Sequence, residues 1–214
     1  PLTAIRGQLE VLLMKDRTDK EYREATAAVL EDISKLNRLL DRLLLMAHAS
    51  SEGAREGFRE VRIDEILWQA REELLKHEKE YTVTVALDEN ISDIENLTMR
   101  GDEQLLLSEV TNIMENGCKY SPDRSVRVLL SHDTNNILVS FTDNGPGIAE
   151  DEIERIFESF YRSKSTSSVR GHGIGLSLAS KIIDIHNGKI TVTSRQGEGT
   201  TIRLAFPAER FIMA

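Results

Sequence analysis

Glu109, Asn112, Asn116 and Lys119 are spaced three, four and three residues apart, so on a helix they share one face. Two amides and an ammonium in one stripe can offer carbonyl oxygens to Mg²⁺ and positive charge to a phosphate, the hard-ligand arrangement this ion takes when nucleotide oxygens complete its shell. The same stripe also suits a solvated helix face, so the neighbouring segments must decide. Downstream lies Asp143-Asn144-Gly145-Pro146-Gly147-Ile148. D-N-G is turn chemistry by itself, because Asp and Asn bond their own backbone and Gly supplies positive φ. Further on, a polar, Ser-rich stretch from Ser163 to Arg170 leads into Gly171-His172-Gly173-Ile174-Gly175-Leu176. Backbone N–H groups at such a Gly-rich helix start favour phosphate, through unsatisfied donors and the helix dipole together. The run is not a P-loop, since it lacks the Lys-Ser/Thr ending, and it has no Rossmann G-x-G-x-x-G with a later acidic partner.

Elements of two textures must position these residues. Leu2, Ile5, Leu9 and Leu12, and then Val29, Ile33, Leu36, Leu40, Leu43 and Ala47, step by threes and fours, which predicts two helices. Thr18 or Asp19 suits the N-cap of the second, and a helix from there to Ser50 would run about 48 Å. With Leu30, Leu39, Leu44 and Met46 also apolar, one hairpin cannot bury everything, whereas two hairpins in a four-helix bundle would. This predicts a homodimer through residues 1–50. Small, polar, Gly-punctuated sequence from Ser50 to Gly57 reads as an interdomain linker. Beyond it the pattern predicts a strand near Phe58–Ile63, a helix capped by Asp64, a strand Tyr81–Val85, a helix from about Asp102 to Cys118, and a hairpin of Val126–Ser131 with Ile137–Phe141. A helix near Leu176–His186 and strands Lys189–Thr193 and Thr201–Phe206 follow. The fold class is therefore α+β: an antiparallel helical hairpin, then a mixed α/β domain. The expected boundaries are 1–50 for the hairpin, 51–58 for the linker and 59–214 for the second domain.

A net charge of −9 argues against a nucleic-acid surface, whose footprint is a basic face. The lone Cys118 excludes an intrachain disulfide and fits a reducing, cytoplasmic compartment, and its expected role is packing. No apolar run approaches the ~18 residues of a spanning helix. Because the chain starts at Pro1 inside helical sequence, it reads as a piece of a longer protein whose upstream part could hold a membrane anchor.

In order along the chain, the pieces resemble the catalytic core of bacterial sensor histidine kinases. N-I-M-E-N-G-C-K-Y-S is similar to that family's N box, D-N-G-P-G to its first glycine box, and I-F-E-S-F-Y-R to its F box. G-H-G-I-G-L is similar to the second glycine box and G-E-G-T-T to the last. P-L-T-A-I-R-G resembles the tail of the H box, and the hairpin resembles the dimerisation and phosphotransfer domain. The resemblance implies for the second domain the ATP-binding sandwich shared with type II topoisomerases and MutL, a two-layer α/β sandwich with a mixed sheet.

It also implies roles. Asp143 would accept a hydrogen bond from the adenine amino group, and Gly145 and Gly147 would let the backbone approach the base. Asn116 is the implied Mg²⁺ ligand, Asn112 and Lys119 approach the phosphates, and Tyr120 stacks on adenine. Arg162 would bind two γ-phosphate oxygens and offset charge in phosphoryl transfer. Gly171, Gly173, Gly175 and Leu176 would close over the phosphates, with His172 at a variable lid position and Ile148, Tyr161 and Ile174 completing the nucleotide contacts. Phe157 and Phe160 would anchor the lid, and Thr201 would lie at the adenine floor. His48, His77, His132 and His186 read as surface or packing residues.

The implied activity is that of a protein-histidine kinase. It binds Mg-ATP, transfers the γ-phosphoryl group to a His of the dimerisation domain, and passes it to an Asp of a response regulator. The family's acceptor His would precede Pro1, so this chain is expected to bind ATP and to act only in trans, its parent being an inner-membrane sensor. An ATPase of the same fold is the alternative enzyme. There a Glu four residues before the Mg-binding Asn polarises water, and here that position is Asn112, which favours phosphoryl transfer. A nucleotide-binding regulatory scaffold is the non-enzymatic alternative.

Overall fold

The computed structural model describes residues 2–15, 17–49, 55–89, 91, 97–163 and 173–208. The chain divides into two compact units, Pro1–Leu45 and Met46–Ala214. The first unit is a helical hairpin whose helices are α1 (Leu2–Leu13) and α2 (Asp19–Ala49). Thr18 and Glu21 start α2 with a reciprocal cap: the Thr18 N–H and hydroxyl both donate to the Glu21 carboxylate, and the Glu21 N–H donates back to Thr18 Oγ1. This capping box decides between the two expected caps in favour of Thr18. Gln8 on α1 donates to Asp32 on α2. Between the helices Ile5, Leu12 and Val29 are buried, whereas Leu9, Leu30, Ile33, Leu40 and Leu44 are exposed. A pair of helices buries only the facing row of each, so much of the expected stripe is left open on the single hairpin. The side chains of Leu2, Leu39, Leu43, Met46 and His48 lie outside the described residues.

In the second unit, β1 (Arg59–Arg62) pairs antiparallel with β3 (Thr98–Gly101) as a small separate sheet. The main sheet holds β2 (Thr82–Leu87), β4 (Ser125–His132), β5 (Asn136–Asp143), β6 (Lys189–Ser194) and β7 (Thr200–Pro207) in the order β2-β4-β5-β7-β6. Among the described residues only the β2–β4 pairing is parallel, so the sheet is mixed. Strict alternation explains its single covered face: Val126, Val128 and Leu130, then Ile137, Val139 and Phe141, then Ile202, Leu204 and Phe206 are all buried, while Arg127, Leu129 and Arg203 between them are exposed. Helices α3 (Ile63–His77), α4 (Glu103–Tyr120) and α5 (Gly175–Ile185) supply the opposing apolar stripes, and Ile66, Leu67, Ala70, Val110, Ile113, Met114 and Ile183 join the strands in one core.

Two helix starts test the sequence rules. Asp102, near which the α4 helix was expected to begin, is its N-cap, its carboxylate accepting the Leu105 N–H at 3.0 Å. Asp64 does not cap α3. The helix begins two residues earlier than that cap implies, with Arg62 at the N-cap, and Asp64 lies in the first turn, where it holds the Arg62 guanidinium at 2.6 and 3.2 Å. An acid in a first turn is favoured by the dipole without capping, which made Asp64 misleading in the sequence.

His186 closes the corner after α5. Its Nδ1–H donates to the Ile182 carbonyl at 2.6 Å, and its Nε2 accepts the Asp102 N–H at 2.9 Å. Since a backbone N–H can only donate, Nε2 carries no proton and the ring is neutral. The ring stacks on Phe58 at 4.6 Å and rests where a Cβ on Gly101 would come within 2.8 Å of it. Burial pushes its pKa below the usual value, against the opposing pull of the Ile182 hydrogen bond. With the folded pKa depressed, the unfolded chain takes up the extra proton first, so stability is full above about pH 6.5 and falls as pH drops through that value. Urea midpoints are therefore expected to fall between pH 7.5 and pH 5.5, and His186→Gln should remove most of that dependence while lowering stability throughout. A pH-independent midpoint in the parent chain would contradict the neutral assignment.

Candidate nucleotide site

The site collects where the C-terminal half of α4, the end of β5, the N-terminus of α5 and the β6–β7 turn converge. Asn112 is the innermost of its stripe. It is buried, its Nδ2 donates to the buried Glu109 carboxylate at 3.0 Å, and its Oδ1 has no hydrogen-bond partner among the described residues. A Cβ on Gly175 would sit 3.0 Å from the Asn112 amide, so the N box touches the first residue of α5. Asn116, one turn on, is half-buried, as is Lys119, whose ammonium lies 5.9 Å from the centre of the Tyr120 ring. A buried carbonyl oxygen lacking a partner is costly, and here it lies beside the N–H groups that open a helix.

Asp143 ends β5, and α4 approaches it closely: a Cβ on Gly117 would be 3.8 Å from that of Asp143. The Asp143 carboxylate accepts the Gly145 N–H at 2.7 Å and also the Thr200 N–H. Burial pushes its pKa up, and these two bonds oppose the shift. The loop after it is packed on protein. Gly145 faces the Tyr120 carbonyl, and Gly147, at φ +69°, would place a Cβ 1.9 Å from the Arg195 carbonyl oxygen. The two glycines thus admit neighbouring backbone, a second reason for them beside the expected one. Gly197 N–H donates to the Pro146 carbonyl at 2.7 Å, and Ile148 N–H to Ser194 Oγ at 2.9 Å. A second tie runs through Asp123, whose carboxylate accepts from Ser121, Ser125 and Asn144, while Ser121 Oγ accepts the Asn144 N–H. Those donors hold the Asp123 carboxylate well below the usual range.

Thr201, expected at the adenine floor, points away. Its hydroxyl meets that of Thr142 at 3.1 Å across the β5–β7 pair, on the face opposite the helices. Its neighbour Thr200 is buried, pairs in register with Asp143 and supplies the N–H bond to its carboxylate. Alternation with the buried Ile202, Leu204 and Phe206 was the signal in the sequence that selects Thr200.

The F-box segment also departs from expectation. Phe160 is 69% exposed with φ +69°, so its ring anchors nothing, and the anchor is its N–H donating to the Gly173 carbonyl at 2.7 Å. Phe157 is half-buried. Tyr161, expected on the nucleotide, is turned instead to Glu152, to which its hydroxyl donates at 2.8 Å, with the Arg155 guanidinium 4.4 Å over its ring. Arg162 is exposed, and its charge acts on the Tyr120 hydroxyl, whose pKa burial raises and Arg162 pulls back. Ile174 is buried at the N-cap of α5, and Leu176 packs against the core. Gly171 and His172, with the expected lid 164–170, lie outside the described residues. Cys118 is buried in the core, and burial pushes its thiol pKa up to about 11, in keeping with packing rather than redox chemistry.

Comparison with known proteins places this geometry. Residues 101–210 match the family described as histidine kinase-, DNA gyrase B-, and HSP90-like ATPase, and residues 1–52 match the His Kinase A (phospho-acceptor) domain. The heme sensor protein HssS of Staphylococcus saprophyticus is 30% identical over 96% of this chain and 43% of its own length, so the chain spans less than half of that relative. Among solved structures, the mycobacterial sensor histidine kinase MprB is 25% identical, with a TM-score of 0.61 over 72% of this chain and 99% of its own. Full-length ShkA, solved in complex with AMPPNP, is 25% identical with a TM-score of 0.69 over 97% of this chain and 44% of its own. Segment by segment, from the helical hairpin to the loops that surround Asp143, this chain belongs to the sensor histidine kinases, joining a phosphoacceptor-type domain to an ATPase-type domain of the histidine kinase, gyrase B and HSP90 kind.

Proposed function

We propose that the chain binds Mg-ATP in the second unit and that the protein it belongs to transfers the γ-phosphoryl group to a His of the dimerisation domain and then to an Asp of a response regulator. The observation that carries this reading is the pairing of an Asp143 carboxylate, held by two backbone N–H groups, with the partnerless Asn112 oxygen at the start of α5. The first suits the adenine amino group, a donor. The second lies where phosphates gather on helix N–H groups, and an oxygen there can take part in hydrating or coordinating an ion that accompanies them.

Asn116 is the residue assigned to Mg²⁺. The donor set fits, because an amide oxygen is a hard ligand and this ion keeps waters and phosphate oxygens for most of its shell. Among the described residues no group of three His, Cys, Asp or Glu could hold a metal without such help. When bound, the ion would neutralise charge on the phosphates. The remaining work falls to the chain: Tyr120 stacks on the base, Lys119 draws the phosphates, Arg162 takes the γ-phosphate, and the α5 N-terminus from Gly173 to Leu176 closes on them.

Residues 1–50 are assigned to dimerisation and phosphotransfer, 51–58 to the linker and 59–214 to catalysis. The exposed Leu9, Leu30, Ile33, Leu40 and Leu44 support a homodimer, since a second hairpin would cover them. Transfer is assigned to a His-bearing dimerisation domain that can be supplied in trans. Among the described residues no helix is long and apolar enough to cross a membrane, and membrane attachment is assigned to a region upstream.

Mixing the purified chain with γ-labelled ATP and a separately prepared His-bearing helical hairpin tests the reading. Label on the hairpin is expected. Free phosphate alone would make the chain an ATPase, and neither product would leave a nucleotide-binding scaffold.

A further inference from the structure

Glu152 ends a 3-10 turn, Glu150–Glu152, ahead of the F-box segment. Its carboxylate accepts the Tyr161 hydroxyl through Oε1 at 2.8 Å and the Ser163 hydroxyl through Oε2 at 2.5 Å. These two side chains bracket Arg162. Arg162 thus lies between two side chains fixed to one carboxylate, which restricts the directions its own side chain can take. The Arg162 charge does act on Tyr120, at the far end of α4. The segment is fixed at its start as well, by the Phe160 N–H bond to Gly173 at 2.7 Å and by Arg155 stacked on the Tyr161 ring at 4.4 Å. Ser163 is buried, so its hydroxyl is held to Glu152 rather than shared with bulk water.

We propose that Glu152 is a positioning residue for the γ-phosphate: by holding Tyr161 and Ser163 with its two oxygens, it aims the intervening Arg162 at the nucleotide. The proposal rests on the assignment of Arg162 to the γ-phosphate. Glu152 touches no phosphate. Its effect on the nucleotide passes entirely through the direction of one guanidinium. An unclasped segment leaves Arg162 free to sample solvent, and ordering it on binding then opposes association.

Because ADP has no γ-phosphate, the ratio of Mg-ATP to Mg-ADP affinity isolates this effect from the integrity of the fold. Calorimetric titration of the whole chain with each nucleotide is expected to show an ATP preference that Arg162→Ala reduces by roughly 10-fold, the scale of a charge-assisted hydrogen bond. Glu152→Ala should reduce the preference to a similar degree while leaving ADP affinity within about twofold. Adding Glu152→Ala to Arg162→Ala should change it no further. The pair Tyr161→Phe with Ser163→Ala, which keeps the carboxylate and removes both donors, should reproduce the loss, so the result does not depend on one variant folding. Equal loss of ATP and ADP binding in both the Glu152 variant and the paired variant would reveal a purely structural role and overturn the proposal. An intact preference in Glu152→Ala, alongside its loss in Arg162→Ala, would overturn the proposal alone. An intact preference in Arg162→Ala, or none in the parent chain, would overturn the γ-phosphate assignment and the positioning role with it.

Discussion

Asn116→Ala is expected to abolish Mg-dependent nucleotide binding, seen in calorimetry as the loss of the difference between titrations with and without Mg²⁺. The amide oxygen of Asn116 is the direct ligand assigned to the ion, and the described residues hold no cluster of three acidic, His or Cys side chains that could replace it. Removing even an outer-shell partner of a metal costs about 10- to 100-fold in affinity, and removing the ligand itself should cost at least that. Substitution by Asp should fail too, because a carboxylate in place of the amide puts a negative charge among phosphates. The fold should survive either change, since Asn116 is half-buried and outside the apolar core. Unchanged Mg-dependent binding in Asn116→Ala would remove the residue from the metal site.

Asp143→Asn should be nearly as severe, on the base rather than the phosphates. In the native loop one carboxylate oxygen is taken by the Gly145 N–H at 2.7 Å and the carboxylate also receives the Thr200 N–H. An Asn keeps one oxygen and replaces the other with an NH₂ donor. Either orientation sets a donor against a donor, at the Gly145 or Thr200 N–H or at the adenine amino group. A charged hydrogen-bond partner is worth about 1.5–3 kcal/mol, so ATP affinity should fall by roughly 10- to 100-fold. The preference for adenine over guanine nucleotides should fall with it. Because burial raises the Asp143 pKa and the base needs the ionised form, native binding should also weaken on acidification sooner than an ordinary aspartate would dictate. An ATP affinity left intact by Asp143→Asn would overturn the adenine assignment.

What the sequence made legible was whatever a short period or a fixed turn dictates. Alternation in Val126–Leu130 and Ile137–Phe141 set both the strands and their buried face, and the step pattern Glu109, Asn112, Asn116, Lys119 set one helical stripe. The start of α4 near Asp102 also read correctly. Errors came where two residues of the same type compete for one place. Thr200 and Thr201 differ only in strand parity, and parity requires knowing which neighbour is buried. Tyr161 and Phe160 looked like contacts because they are large, but backbone geometry at Phe160 and the distant Glu152 decide where they go. The partners of Gly145 and Gly147 lie some 50 residues onward in the β6–β7 turn or back in α4, at separations no local pattern reports.

That last separation has a consequence for assembly of the protein. The Asp143–Ile148 loop is backed by Ser194, Arg195, Gly197 and Gly199, and its carboxylate is completed by Thr200. Contacts so far apart in sequence form late, since the intervening chain must first be ordered. On the ribosome, the Asp143 end of the pocket can be finished only after β7 has emerged. Any ligand that needs that carboxylate must therefore wait for β7.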